Sequence, residues 1–256
     1  NREEALKLLR EALESLESGN DGGVNPAPVQ GAIRPKGEEA GITLPIACVK
    51  RTGGLSGSPF GIHSPSIIDR PFPEGAQKPP GFDTVSDLRE AGARWVRYDR
   101  LFVWDAVERK KGEYDWTRAD YIVAETYGRG IDILAVVNPF NKMDGSKLKT
   151  APKQTGWYLE FLREAVERFD GDGFKDAPCS PKIKYWQIAN EVDNPVYWQD
   201  TPQRYAGLLL DSYKAVKQAD PEAKVVIAAL ANPAGLGYHR KVIESLKGER
   251  AFDVFD

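Results

Sequence analysis

The pattern of hydrophobic and polar positions changes character near residue 59. Ahead of that point, Leu6, Leu9, Leu13 and Leu16 recur at alternating spacings of three and four, with Glu and Arg over much of the opposite face. That spacing predicts an amphipathic helix over residues 3–17, packed within the chain or against a partner helix. Residues 19–28, rich in Gly, Asn and Pro, read as a linker. Residues 41–51 contain the apolar run Ile42 to Val49 and predict a short strand, which Pro45 keeps off a central position.

From residue 59 the pattern becomes regular. Short apolar runs predict strands at 60–63, 93–99, 131–137, 182–188, 224–230 and 252–255. Between them, positions of helical period predict helices over 84–91, 116–127, 157–169, 201–219 and 237–247. Gly128-Arg129-Gly130 stops the second helix, and Thr201 before Pro202 is a natural N-cap for the fourth. The central strands are apolar on both faces, as in a parallel sheet covered by helices. The expected fold is α/β, a (β/α)8 TIM barrel of which about six βα units fall in this chain. An open doubly wound sheet competes, but no Gly-x-Gly-x-x-Gly turn follows the first strand and no phosphate loop is present. Residues 1–58 thus form an N-terminal extension, and residues 59–256 the barrel domain.

Composition narrows the function. With 35 Lys and Arg against 38 Asp and Glu, and no long run of either sign, the chain has no footprint for nucleic acid or an anionic membrane. No apolar stretch reaches the roughly 20 residues that span a bilayer. Cys48 and Cys179 read either as one disulfide or as two buried thiols. His63 and His239 are the 2 histidines in all, too few for a His-rich metal site, and no cofactor motif is present.

In a barrel of this kind chemistry sits at the C-terminal ends of the strands. Those ends hold His63, Arg97 to Asp99, Asn138, Asn190-Glu191 and Asn232, with the aromatic residues Trp104, Phe140, Tyr197 and Trp198 close by in sequence. The run Lys182 to Ile188 breaks off into Asn190-Glu191, so an apolar strand carries a carboxylate out into a cleft, where partial desolvation suits such a group to general acid work. Aromatic faces suit the apolar faces of sugar rings, while Asn, His and Arg suit hydroxyls and carboxylates. No Ser-His-Asp or Cys-His arrangement competes, and no strand-end Lys offers a Schiff base.

Trp186-Gln187-Ile188-Ala189-Asn190-Glu191 resembles the fourth-strand motif of clan A glycoside hydrolases. The segments Tyr197 to Tyr205, Ala215 to Val226, and Gly92 to Arg97 leading to Gly112-Glu113-Tyr114-Asp115-Trp116 resemble family 39 and its relatives. The resemblance runs from about Pro59 to the end. It implies a retaining hydrolase of an oligo- or polysaccharide. Glu191 is then the general acid/base, Asn190 the partner of the sugar 2-hydroxyl, and Arg97 the residue that orients the nucleophile and keeps it ionised. His63 and Asn138 are expected on substrate hydroxyls, and Trp104, Tyr197 and above all Trp198 as sugar-stacking residues. Extracellular or periplasmic action goes with such a substrate.

Two departures stand out. Val192 follows Asn-Glu where the family often has Pro, which changes the loop and leaves both functional groups. The family nucleophile is a Glu at the end of the seventh strand, and Asp256 falls near the end of the sixth. The expectation is that about 60 further residues, or a second chain, complete the barrel. The alternative is a non-catalytic carbohydrate-binding barrel that keeps the cleft without the nucleophile.

Overall fold

The computed structural model describes residues 46, 48, 51–54, 60–63, 84–231 and 235–255. The expected N-terminal helix and linker, and Asn232, lie outside the described residues.

Strands β1 (Gly61–His63), β2 (Trp95–Val103), β5 (Asp132–Asn138), β6 (Tyr185–Ile188) and β7 (Lys224–Val226) form one sheet in that spatial order. Every pairing is parallel. A parallel bridge from Val226 to Val254 starts a sixth strand. Helices α1 (Thr84–Glu90), α3 (Thr117–Gly128), α4 (Thr155–Arg168) and α5 (Pro202–Ala219) occupy the successive crossovers, and α6 (Leu236–Leu246) follows β7. Spatial order follows chain order with no reversal. A doubly wound sheet reverses at a switch point, so this progression is the winding of a barrel. Among the described residues no helix is long and apolar enough to cross a membrane.

The helix-facing side of the sheet forms the core. Val96, Tyr98, Ile133, Ala135, Val137, Trp186, Ile188 and Val225 are buried there with Ile122, Phe161, Leu162, Tyr205, Leu209 and Val242 from the helices. Each large apolar side chain contributes about 1.5–3 kcal/mol by leaving water. The Tyr205 hydroxyl donates to Ile188 O (2.9 Å) and accepts from Ala228 N (2.8 Å), which ties α5 to the ends of β6 and β7. Thr201 caps α5 as expected, accepting from Arg204 N at 3.2 Å with Pro202 at the first turn.

Three local features differ from the sequence expectation. β2 runs on to Val103, with a shift in register between Tyr98 and Phe102, so Arg97 and Asp99 lie within the strand. Short α2 (Trp104–Val107) and the hairpin of β3 (Glu108–Lys110) and β4 (Glu113–Tyr114) follow it. The expected strand over 41–51 is irregular at the residues described there, 46, 48 and 51. Polar groups of 51–53 bond to turns instead of a strand ladder. Arg51 pairs with Asp132 (2.6 Å) and donates to Tyr127 O (2.8 Å), with its guanidinium 4.0 Å over the Tyr127 ring. Thr52 N donates to Gly128 O (3.0 Å), and Gly53 O accepts from Arg89 (2.9 Å). Gly130, at φ +77°, permits this approach, since a Cβ there would lie 2.5 Å from Thr52 O. Cys48 and Cys179 form a disulfide, which decides the open question about the two cysteines. Cys48 and residues 51–54 therefore lie at the strand-start end of the sheet.

Candidate active site

The opposite end of the sheet holds a polar cluster built around Arg97. Along β2, Tyr98 turns to the helices, where it is 1% exposed and its hydroxyl meets Thr126 Oγ1 at 3.1 Å. Alternation then sends Arg97 to the other face, the barrel interior. Its guanidinium meets three partners there. Nε donates to Gln187 Oε1 (2.9 Å), Nη1 to His63 Nε2 (3.1 Å) and Nη2 to Asn190 Oδ1 (2.6 Å). One planar cation thus joins β1, β2 and the end of β6. A guanidinium only donates, so these contacts also fix the partners. The Asn190 oxygen is turned to Arg97, which leaves its Nδ2 as the group to offer a ligand. His63 Nε2 is the acceptor, which places the ring proton on Nδ1.

β6 is the fourth strand of the sheet, and its exit is built from unusual backbone. Ala189 (φ +62°) and Glu191 (φ +42°) are both in the left-handed region, at about 1–3 kcal/mol each for residues with a Cβ. Neighbours hold this turn in place. Ala189 N donates to Val137 O (2.9 Å), the Gln187 amide to Ala189 O (2.9 Å), and Asn194 N to Glu191 O (2.9 Å). Val192 is buried beneath the turn at 1% exposure, so it anchors the loop as an apolar plug. Glu191 is partly exposed, and its Oε2 accepts from Asn194 Nδ2 at 3.1 Å. The side chain is thereby oriented while keeping one oxygen, Oε1, for other contacts.

Arg97, His63, Asn190 and Glu191 come together through this cluster and the β6 turn. Asn138 ends β5, is exposed, and caps Phe140 N through Oδ1 at 3.2 Å. Tyr197, 51% exposed beside Val196 at 59%, keeps an open aromatic face. Two expectations are corrected. Trp104 is 0% exposed, and its indole N–H is held by Glu108 Oε2 at 2.5 Å beneath the hairpin. Trp198 is 4% exposed and packs edge-on to Tyr205 with centroids 5.7 Å apart. Neither offers a face to a sugar. Gln187, fully buried and bonded to Arg97, was missed by sequence reasoning. Its signal was a polar side chain at an inward position two residues after Tyr185 in an otherwise apolar strand.

Other polar groups lie elsewhere. Asp170, Asp172 and Asp176 bring carboxylate oxygens within 4.8 Å of one another in the loop before β6, at the strand-start end. Burial, with the neighbouring carboxylates, raises the Asp170 pKa to about 6. His239 is buried edge-on to Phe255, and desolvation lowers its pKa. A cavity of about 570 Å³ also opens at the strand-start end, against Trp95, Leu134, Tyr185, Val226 and Val254, away from the cluster. Geometry and chemistry favour the Arg97 end as the site, since barrel chemistry belongs to the C-terminal ends of the strands.

The architecture is that of a TIM barrel, with about six of the eight units in this chain. No protein-family model and no curated protein sequence matches it. Solved structures do. A glucosidase from Croceicoccus marinus is 19% identical with a TM-score of 0.56, over 81% of this chain and 45% of that one. A GH39 enzyme from Xanthomonas axonopodis pv. citri is 16% identical with a TM-score of 0.55, over 73% and 37%. A monomeric β-xylosidase from Caulobacter crescentus CB15 is 17% identical with a TM-score of 0.53, over 73% and 38%. The chain therefore spans less than half the length of each, and at these identities the likeness is one of fold.

Proposed function

We propose that this chain forms the larger part of a retaining glycoside hydrolase barrel acting on an oligo- or polysaccharide. The observation that carries the reading is the Arg97 Nη2 to Asn190 Oδ1 bond of 2.6 Å at the end of the fourth barrel strand, one residue before Glu191. It fixes an amide donor beside a partly exposed carboxylate, the pair that glycoside hydrolysis needs at this place. Glu191 protonates the departing glycosidic oxygen, then takes a proton from the water that resolves the glycosyl-enzyme intermediate. Asn190 Nδ2 donates to the sugar 2-hydroxyl, a contact that strengthens as the ring gains oxocarbenium character. Arg97 positions Asn190 and His63. Tyr197 supplies a stacking face, and Asn138 and His63 bind hydroxyls.

A retaining mechanism also needs a carboxylate nucleophile, a role that none of these residues takes. The relatives named as a glucosidase and a β-xylosidase make aryl glucosides and xylosides the first substrates to try. The disulfide between Cys48 and Cys179 supports work in an oxidising compartment, outside the cell or in a periplasm.

The test is Glu191→Ala in the full-length protein. Hydrolysis of xylosides with poor leaving groups should fall about 10²–10⁴-fold. On an activated aryl xyloside, whose leaving group needs no acid, added azide, which needs no general base, should restore turnover and give a glycosyl azide of retained configuration. Unchanged hydrolysis, or an inverted azide product, would overturn the reading.

A further inference from the structure

Asp99 is a carboxylate within β2, and the mechanism above does not use it. It follows Arg97 by two positions on β2, so alternation turns it to the same interior face. Its Oδ1 is buried with no hydrogen-bond partner. Its Oδ2 lies 3.8 Å from His63 Nε2, beyond hydrogen-bond length. Buried carboxylate oxygens are normally satisfied, so an oxygen left without a donor points to a ligand that brings one.

His63 supplies the complementary half. Its Nε2 accepts from Arg97, so the ring proton stands on Nδ1, and the side chain is 51% exposed. β1 and β2 thus bring the His63 ring and an acceptor, the Asp99 carboxylate, into one cluster, with His63 Nε2 3.8 Å from Asp99 Oδ2. A sugar hydroxyl both donates and accepts, so two adjacent hydroxyls match this pair. The charge discriminates as well. Arg97 donates from Nε, Nη1 and Nη2 to Gln187, His63 and Asn190, which turns its guanidinium toward those groups. A substrate carboxylate at this position would meet Asp99 instead.

We propose that Asp99, together with His63, is a specificity-determining residue that binds adjacent hydroxyls of a neutral sugar ring and rejects uronate rings. The proposal rests on the glycoside hydrolase reading of the site, but a binding measurement separates the two. The probes are xylobiose, cellobiose and an aldobiouronic acid, titrated calorimetrically into full-length Glu191→Gln protein and into Glu191→Gln/Asp99→Asn.

The parent should bind both neutral disaccharides more tightly than the uronate. Asp99→Asn should weaken the neutral probes about tenfold and shrink the neutral-to-uronate ratio by at least as much, with an unchanged melting curve. A merely structural role would weaken all three probes alike. An unchanged ratio, a parent that prefers the uronate, or a parent that binds none of the probes would overturn the proposal. Should the Asp99 variant fail to fold, His63→Phe on the same background must weaken the neutral probes selectively, and equal binding overturns the proposal. Loss of selectivity in a protein that hydrolyses nothing would sink the hydrolase reading and leave Asp99 in its role. Intact selectivity in Asp99→Asn, with hydrolysis abolished by Glu191→Gln, would do the reverse.

Discussion

The two ends of the sheet are made from the same strands and do opposite things. At the strand-start end, polar groups close on one another: Arg51 on Asp132 and Tyr127, Thr52 on Gly128, and Cys48 on Cys179. At the strand-finish end, polar groups are held in place yet keep capacity to spare. Asp99 Oδ1 has no donor, Ala189 and Glu191 carry positive φ, and Arg97 orders the side chains of Gln187, His63 and Asn190. The first end holds the chain together. At the second, the unpartnered Asp99 oxygen and the left-handed turn of Ala189 and Glu191 adjoin the cluster around Arg97, where a ligand can meet them.

Variants at each end should therefore separate stability from turnover. The largest effect is expected for Arg97→Ala, which leaves Gln187 without its partner and Asn190 free to flip. It should cost about 2–4 kcal/mol in chemical denaturation and lower kcat/KM at least about 10²-fold. A variant that keeps full turnover would show that Arg97 does not position the site. Next comes Cys48→Ser/Cys179→Ser at the other end. The bridge closes a separation of 131 residues, and its loss should cost about 2–4 kcal/mol in denaturant while kcat/KM of the folded protein stays the same. A change in turnover there would mean that the ends are coupled.

Tyr205→Phe probes the link beneath the site. It removes the hydroxyl that joins Ile188 O and Ala228 N and should cost about 1–2 kcal/mol by thermal melting.

The smallest effect is one of pH. Burial, then its carboxylate neighbours, raise the Asp170 pKa in the folded state to about 6, above its unfolded value near 3.8. The folded state thus holds the proton more tightly, so this contribution is full below pH 3.8 and is lost as pH rises through about 6. Asp170→Asn should flatten that fall and stabilise the protein at pH 7, on the order of 1 kcal/mol after allowance for screening by solvent. Melting temperatures of the two proteins at pH 4 and pH 7 check the sign.

Much of this was legible in the sequence because it depends on local period. The alternation of apolar runs and helical stretches marked the sheet order. The polar break after Ile188 marked Asn190 and Glu191, and Arg97 was marked as the end of the second strand, although β2 runs on to Val103. What failed depends on distant neighbours. Trp104 reads as a mouth aromatic until Glu108 and the hairpin cover it, and Trp198 until Tyr205 packs against it. Thr52 and Gly53 bond to the turn at Gly128 and to Arg89, pairings between positions far apart in sequence. Gln187 lay inside the motif but gained its meaning only once Arg97 was placed beside it.

The central claim is that the cluster ordered by Arg97 serves Glu191 as a general acid/base. The most direct measurement compares kcat/KM of full-length wild type and Glu191→Gln on aryl xylosides and glucosides of graded leaving-group pKa, with melting curves as a control for folding. The account predicts a loss of at least about 10²-fold on the poorest leaving groups, smaller losses on the best, and superimposable melts. Equal rates across the series would contradict it.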